Sequence, residues 1–177
     1  MAAPKHTIIL LVRNRPGVLT RIASLFRRRL INIESLAVGH CETPGMSRMT
    51  IGVDGENVVM DQIIRQIQKL VDVVKVMDVT SETTVQHELA MIMVECPPER
   101  RHELVALADV YKSQIVDVGP DAMVIETVGE ESKVDSLITL LEPYGIREIV
   151  RTGRVAMVRA SAAAEGGQRR LLRAIGA

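Results

Sequence analysis

Between an apolar run that ends at Val12 and an amphipathic one that starts at Val18 stand Arg13, Asn14, Arg15, Pro16 and Gly17. A strand that passes through a Pro-Gly turn straight into a helix leaves the first amide N–H groups without intrahelical partners, at the positive end of the helix dipole. A carboxylate or phosphate docks on such donors. Pro16 fixes φ and has no N–H to satisfy at a first helical position, and Gly17 lets a ligand approach the backbone closely. Asn14 and Asn32 add carboxamides, which donate and accept. A zwitterion needs both, with donors for its carboxylate and acceptors for its ammonium group. The helix start would take the carboxylate, Asn14 and carbonyls near Asn32 or Ile33 the ammonium, and Val18 and Leu19 would line an apolar pocket. A plainer reading has Asn14, Pro16 and Gly17 only shaping a loop. A third makes Arg13 and Arg15 a phosphate cradle in a small acyl-phosphate hydrolase, a class that shares the topology derived below.

Other chemistry is sparse. There is no Gly-rich Walker loop, no Gly-x-Ser-x-Gly elbow and no nucleophile, base and orienter set, so no catalytic residue is expected. His40, Cys41 and Glu42 are neighbours on a strand, point to alternating faces and cannot converge on one metal ion. His6, His87 and His102 are isolated in sequence, and Cys41 and Cys96 form no paired metal spacing, which fits a reduced, cytoplasmic protein without a metal site. Lys plus Arg equals Asp plus Glu at 22 each, so no general attraction to nucleic acid follows. Aromatic residues are 2% of the chain, and Phe26, its one Phe, falls in a helical pattern, so the base-stacking platform of sheet-based RNA binders is missing. No apolar run approaches the roughly 20 residues of a membrane helix, and residues 1–5 lack the apolar segment of a signal peptide.

The elements that must position Asn14 to Leu19 follow from periodicity. Residues 7–13 alternate as a strand that is apolar on both faces, with Ile8, Leu10 and Val12 on one and Ile9 and Leu11 on the other. Val18, Leu19, Ile22, Ala23, Leu25, Phe26 and Leu30 recur at helical spacing. Residues 32–41 and 47–54 form a hairpin around Glu42-Thr-Pro-Gly45, residues 58–71 a second helix, and residues 73–79 a fourth strand. This β-α-β-β-α-β order is ferredoxin-like, with two helices on one face of an antiparallel sheet. After a polar linker at residues 80–84 the order repeats: strand 88–96, helix 99–111, strands 114–118 and 122–128 around Gly119-Pro-Asp121, helix 131–142 and strand 146–150, which residues 152–159 would extend. The fold class is α+β, two tandem ferredoxin-like modules at residues 5–80 and 86–159. Residues 160–177 form a tail in which residues 169–175 could make a short basic helix. Helices cover one side of such a sheet only, so Ile9 and Leu11 invite a second subunit or cover from the C-terminal module.

Four pieces carry a resemblance to a known family: residues 14–20, Asn32-Ile-Glu-Ser-Leu36, Ser47-Arg-Met-Thr-Ile51 and Lys69-Leu-Val-Asp-Val73. Residues 5–158 resemble the acetolactate synthase small-subunit family, whose N-terminal module is an ACT domain. The resemblance implies a non-catalytic regulatory subunit that activates a large catalytic subunit and confers feedback inhibition by valine or another branched-chain amino acid. It implies a homodimer with effector between two ACT domains, held by Asn14, Pro16, Gly17, Val18 and Leu19 of one chain and Asn32 and Ile33 of the other. Thiamine diphosphate, magnesium and any FAD would belong to the catalytic partner. A free-standing ACT-domain amino-acid sensor, regulating another enzyme or transcription, is the alternative. Two departures stand out. Arg29-Leu30-Ile31 replaces the family's usual Arg-Gly-aromatic and removes a permissive glycine at the helix end. Tyr111-Lys-Ser-Gln-Ile115 replaces a Phe-Arg-Gly or Phe-Arg-Ala lead.

Overall fold

The computed structural model describes residues 5–162, in two compact units. The first holds β1 (Lys5–Arg13), α1 (Val18–Arg28), β2 (Ile33–His40), β3 (Met46–Asp54), α2 (Asn57–Ile67) and β4 (Val73–Asp78). Its antiparallel sheet has the order β2-β3-β1-β4, the ferredoxin-like arrangement. β1 pairs with β3 along its whole length, from Lys5 opposite Asp54 to Arg13 opposite Met46. The alternation in β1 decides the layers. Ile8, Leu10 and Val12 pack with Ile22 and Phe26 of α1 and with Met60, Ile63 and Ile67 of α2 in one apolar core.

The second unit repeats the plan with β5 (Thr84–Glu95), α3 (Arg101–Val110), β6 (Gln114–Val118), β7 (Ala122–Gly129), α4 (Glu131–Leu141) and β8 (Ile146–Arg151). Its strand path is β6-β7-β5-β8, the same order again. Ile92 and Val94 of β5 meet Leu104 of α3 and Val134, Leu137 and Leu141 of α4 in a separate core. The two antiparallel βαββαβ sheets and their helices are thus those read from periodicity.

Four local differences have physical causes. Helix α1 begins at Val18 with Gly17 as its N-cap at φ +83°, so Pro16 precedes the cap and is not the first helical residue. Helix α2 stops at Ile67, which leaves Val71 exposed in the turn before β4. Pro97 and Pro98 start a 3-10 turn, Pro98–Arg100, and α3 follows only at Arg101. The closing strand does not run on through residues 152–159: β8 ends at Arg151, Gly153 turns the chain at φ +78°, and Val155–Val158 forms its own strand, β9.

β9 belongs to the first unit, where Ala156, with Val158 beside it, packs on Ile9, Val79 and Met77. This covers the second apolar face of β1 at Ile9. Ala160–Ala162 makes one helical turn, and the rest of the tail, including the basic stretch at residues 169–175, lies outside the described residues. Among the described residues no helix is long and apolar enough to cross a membrane, and no three His, Cys, Asp or Glu side chains are grouped to hold a metal ion.

Candidate functional site

Three backbone hydrogen bonds fix the chain as it leaves β1. The Arg13 N–H donates to the Asp72 carbonyl (2.8 Å), the Asn14 N–H to the Gly45 carbonyl in the β2–β3 turn (2.9 Å), and the Arg15 N–H to the Arg13 carbonyl (2.9 Å). Gly17 then takes the left-handed conformation that glycine adopts freely, and its carbonyl accepts the Arg21 N–H (3.1 Å) to close the first turn of α1. No side chain caps this helix and its first turn holds no acidic residue. Among the described residues the Leu19 and Thr20 amides have no backbone acceptor, and the Val18 N–H reaches the Arg15 carbonyl only at 3.4 Å. The result is a bare positive pole facing solvent. A Cβ built on Gly17 would meet nothing within 4 Å, so the approach is open.

The predicted site residues divide into two places. Asn14, Pro16 and Gly17 are exposed around the pole, and the Asn14 carboxamide has no partner among the described residues. Val18 points the other way: only 3% of its surface is exposed, and its side chain is part of the helix–sheet core, so it offers a ligand its backbone and not an apolar wall. Leu19, 41% exposed, is the apolar side chain available there. Asn32 and Ile33 stand at the opposite end of α1, an 11-residue helix, hence roughly 16 Å away along its axis. One chain does not bring the two groups onto one small ligand.

At that far end the Asn32 Nδ2 donates to the Glu34 carboxylate (2.6 Å), and Asn32 and Ile33 line an open groove with Ala23, Phe26, Arg27, Leu30 and Ile31. The helix finishes in a Schellman motif: the Ile31 N–H donates to the Phe26 carbonyl (3.1 Å) and the Leu30 N–H to the Arg27 carbonyl (3.0 Å). That geometry puts Leu30 at φ +55°, where a glycine would sit without strain, and leaves the side chain 95% exposed at the rim of the groove.

The second module repeats the frame without the pole. The Glu95 N–H donates to the Gly145 carbonyl (2.8 Å) and the Cys96 N–H to the Asp121 carbonyl (2.9 Å), matching Arg13 with Asp72 and Asn14 with Gly45. Its helix also ends in a Schellman motif, with Lys112 at φ +50° in the place of Leu30. Where the first module has Arg15, Pro16 and Gly17, however, the second has Pro97, Pro98 and Glu99. Two of those residues have no N–H, and the third puts a carboxylate in the first turn, where an incoming anion would sit.

Tandem βαββαβ modules, the first with a glycine-led and uncapped helix start, place the chain among two-module ferredoxin-like proteins, and comparison with known families assigns the first module to the ACT class. The family model described as "AHAS small subunit-like ACT domain" matches residues 8–75, and "Small subunit of acetolactate synthase" matches residues 87–160. The chain belongs to the acetolactate synthase small-subunit family, a family of regulatory rather than catalytic chains. It is 52% identical to the probable acetolactate synthase small subunit of Archaeoglobus fulgidus, over 88% of this chain and 97% of that one. It is 47% identical to the acetolactate synthase small subunit of Bacillus subtilis, over 88% and 91%. The crystal structure of the acetolactate synthase small subunit from Thermotoga maritima superposes with a TM-score of 0.81 at 42% identity, covering 88% of this chain and 97% of the other.

Proposed function

We propose that this chain is the cytoplasmic regulatory subunit that activates the catalytic subunit of acetolactate synthase and makes it sensitive to feedback inhibition by valine or a close branched-chain relative. The reading has the effector bound across a homodimer of first modules. The observation that carries it is the bare pole at Gly17, Leu19 and Thr20, separated by the length of α1 from Asn32 and Ile33. Each chain then holds two half-receptors, and two copies related by a two-fold axis, with their α1 helices antiparallel, complete two sites. The pole receives the effector carboxylate, and Asn14 together with backbone carbonyls near the partner's Asn32 receives the ammonium group. Leu19 and the groove beside Leu30 and Ile33 take the aliphatic side chain. Thiamine diphosphate, magnesium and any FAD are carried by the catalytic partner, and this chain contributes binding energy alone. Coupling of about 1–3 kcal/mol between effector and catalytic states is enough for such control. Alanine binds more weakly than valine, by about 0.8 kcal/mol for each missing methylene.

The test is a reconstituted pair of this chain with the catalytic subunit, titrated with amino acids. Gly17→Asp places a carboxylate where the effector's own must sit and abolishes the valine response. Gly17→Ala carries only the backbone strain of about 1–2 kcal/mol and keeps a measurable response. Unchanged valine affinity in Gly17→Asp rules out this pocket. Failure to co-purify with a thiamine-diphosphate synthase favours a free-standing sensor instead.

A further inference from the structure

The segment in front of α1 is held from both ends by one residue outside it. The Asp72 carbonyl accepts the Arg13 N–H at the end of β1, and the Asp72 carboxylate accepts the Arg21 guanidinium, Nη1 to Oδ2, at 2.7 Å. Arg21 in turn donates its own N–H to the Gly17 carbonyl. Residues 14–17 are therefore enclosed in a ring that runs from Arg13 through Asp72 to Arg21 and back to Gly17. The Asp72 side chain is 11% exposed and the Arg21 side chain 60%, so the anchor is seated in the fold and the arm lies over its surface.

The second module supplies an internal control. Its backbone strap is kept, Glu95 N–H to Gly145 carbonyl, but the positions of Arg21 and Asp72 are held by Glu103 and Gly145. Glu103 pairs instead with Arg100 at 3.6 Å. The contacts from this helix start are of another kind, the Arg100 guanidinium over the Tyr144 ring at 4.2 Å and Arg101 Nη2 donating to the Gly119 and Pro120 carbonyls, and Gly145 offers no carboxylate for an ion pair. The βαββαβ frame thus closes without the side-chain arm. The arm occurs in the module whose helix start is bare and is missing where Pro97, Pro98 and Glu99 fill the pole.

We infer that Arg21 and Asp72 are positioning residues for the effector loop, which hold the amides of Gly17, Leu19 and Thr20 in the geometry that receives a carboxylate. The inference rests on the effector reading above and names a part of its machinery. A loop already fixed in its bound form loses less conformational freedom when the ligand arrives, so breaking the clasp weakens binding without removing a ligand contact.

The experiment uses the full-length chain with Asp72→Asn, Arg21→Gln, the double variant and Arg21→Lys. Valine affinity is read by calorimetry, opening of the loop by hydrogen exchange, without ligand, at its three hydrogen-bonded amides, those of Asn14, Arg15 and Val18, and folding by thermal unfolding. Each single variant is expected to bind valine about tenfold more weakly with faster exchange at the three amides. The double variant binds no more weakly than the singles, and Arg21→Lys retains most of the affinity. Should Asp72→Asn not fold, Arg21→Gln carries the test, since that side chain is largely in solvent. Folded variants with unchanged affinity and unchanged exchange overturn the proposal, whatever their melting temperature. If the unmodified chain binds no valine, the effector reading fails by itself; exchange at the three amides then decides the clasp, faster exchange supporting it and unchanged exchange overturning it.

Discussion

Leu30 shows what one residue can cost. An L-residue in the left-handed region is disfavoured by roughly 1–2 kcal/mol, and at 95% exposure Leu30 recovers little of that by burial. Leu30→Gly is expected to raise stability by about 0.5–1 kcal/mol, the relief of strain being partly offset by the freer unfolded chain. Chemical denaturation of the two proteins measures it, and equal midpoints would refute the strain. The missing glycine between Arg29 and Ile31 was legible in the sequence as a departure from the family's usual Arg-Gly-aromatic at that helix end. For Val18 the sequence allowed two roles: its spacing with Ile22, Leu25 and Phe26 put it in the apolar stripe of the helix, and its place next to Gly17 made it look like pocket lining. The core packing belongs to the first of these. The Arg21–Asp72 pair was illegible: the partners are far apart in the chain, and no periodicity links them.

At the scale of the element, the two modules share strands, helix ends and backbone straps, yet differ at the start of their first helices. Glu99→Ala is therefore expected to leave valine affinity unchanged by calorimetry, since Pro97 and Pro98 still withhold the donors. The turn between β6 and β7 has its own electrostatics. The Arg147 guanidinium beside Asp121, 3.0 Å from Oδ2, holds that carboxyl below the usual carboxylate range and is itself shifted upward by the same contact. A carboxyl lowered in the folded state stabilises above its unfolded value of about 3.9, and the contribution is lost as pH falls through the folded value. Melting temperature measured from pH 5 down to pH 2 should fall less steeply in Asp121→Asn than in the unmodified chain, and parallel curves would refute the assignment. Strand and helix identities were readable because apolar residues repeat at two or at 3.6 along each. The break before β9 was not, since residues 152–159 alternate well enough to continue β8, and only Gly153 at positive φ marks the corner.

At the scale of the whole molecule, the doubly apolar β1 announced that something must cover Ile9, and the cover comes from Ala156 and Val158 of the four-residue strand β9. Ala156→Asp would put a carboxylate among Ile9, Val79 and Met77, a burial without a partner that costs about 2 kcal/mol or more. Denaturant unfolding with a reporter in the first unit should show that loss, and a change below 0.5 kcal/mol would mean that β9 is dispensable. The same return of the chain sets an order on biosynthesis. A ribosome releases Lys5 to Asp78 long before Val155, so the nascent first sheet emerges with Ile9 uncovered while all of residues 86–154 are still being made. Its maturation waits for the codons that follow residue 154, and a transcript cut short after the first module yields a protein with an exposed apolar face, fit for chaperone capture and degradation.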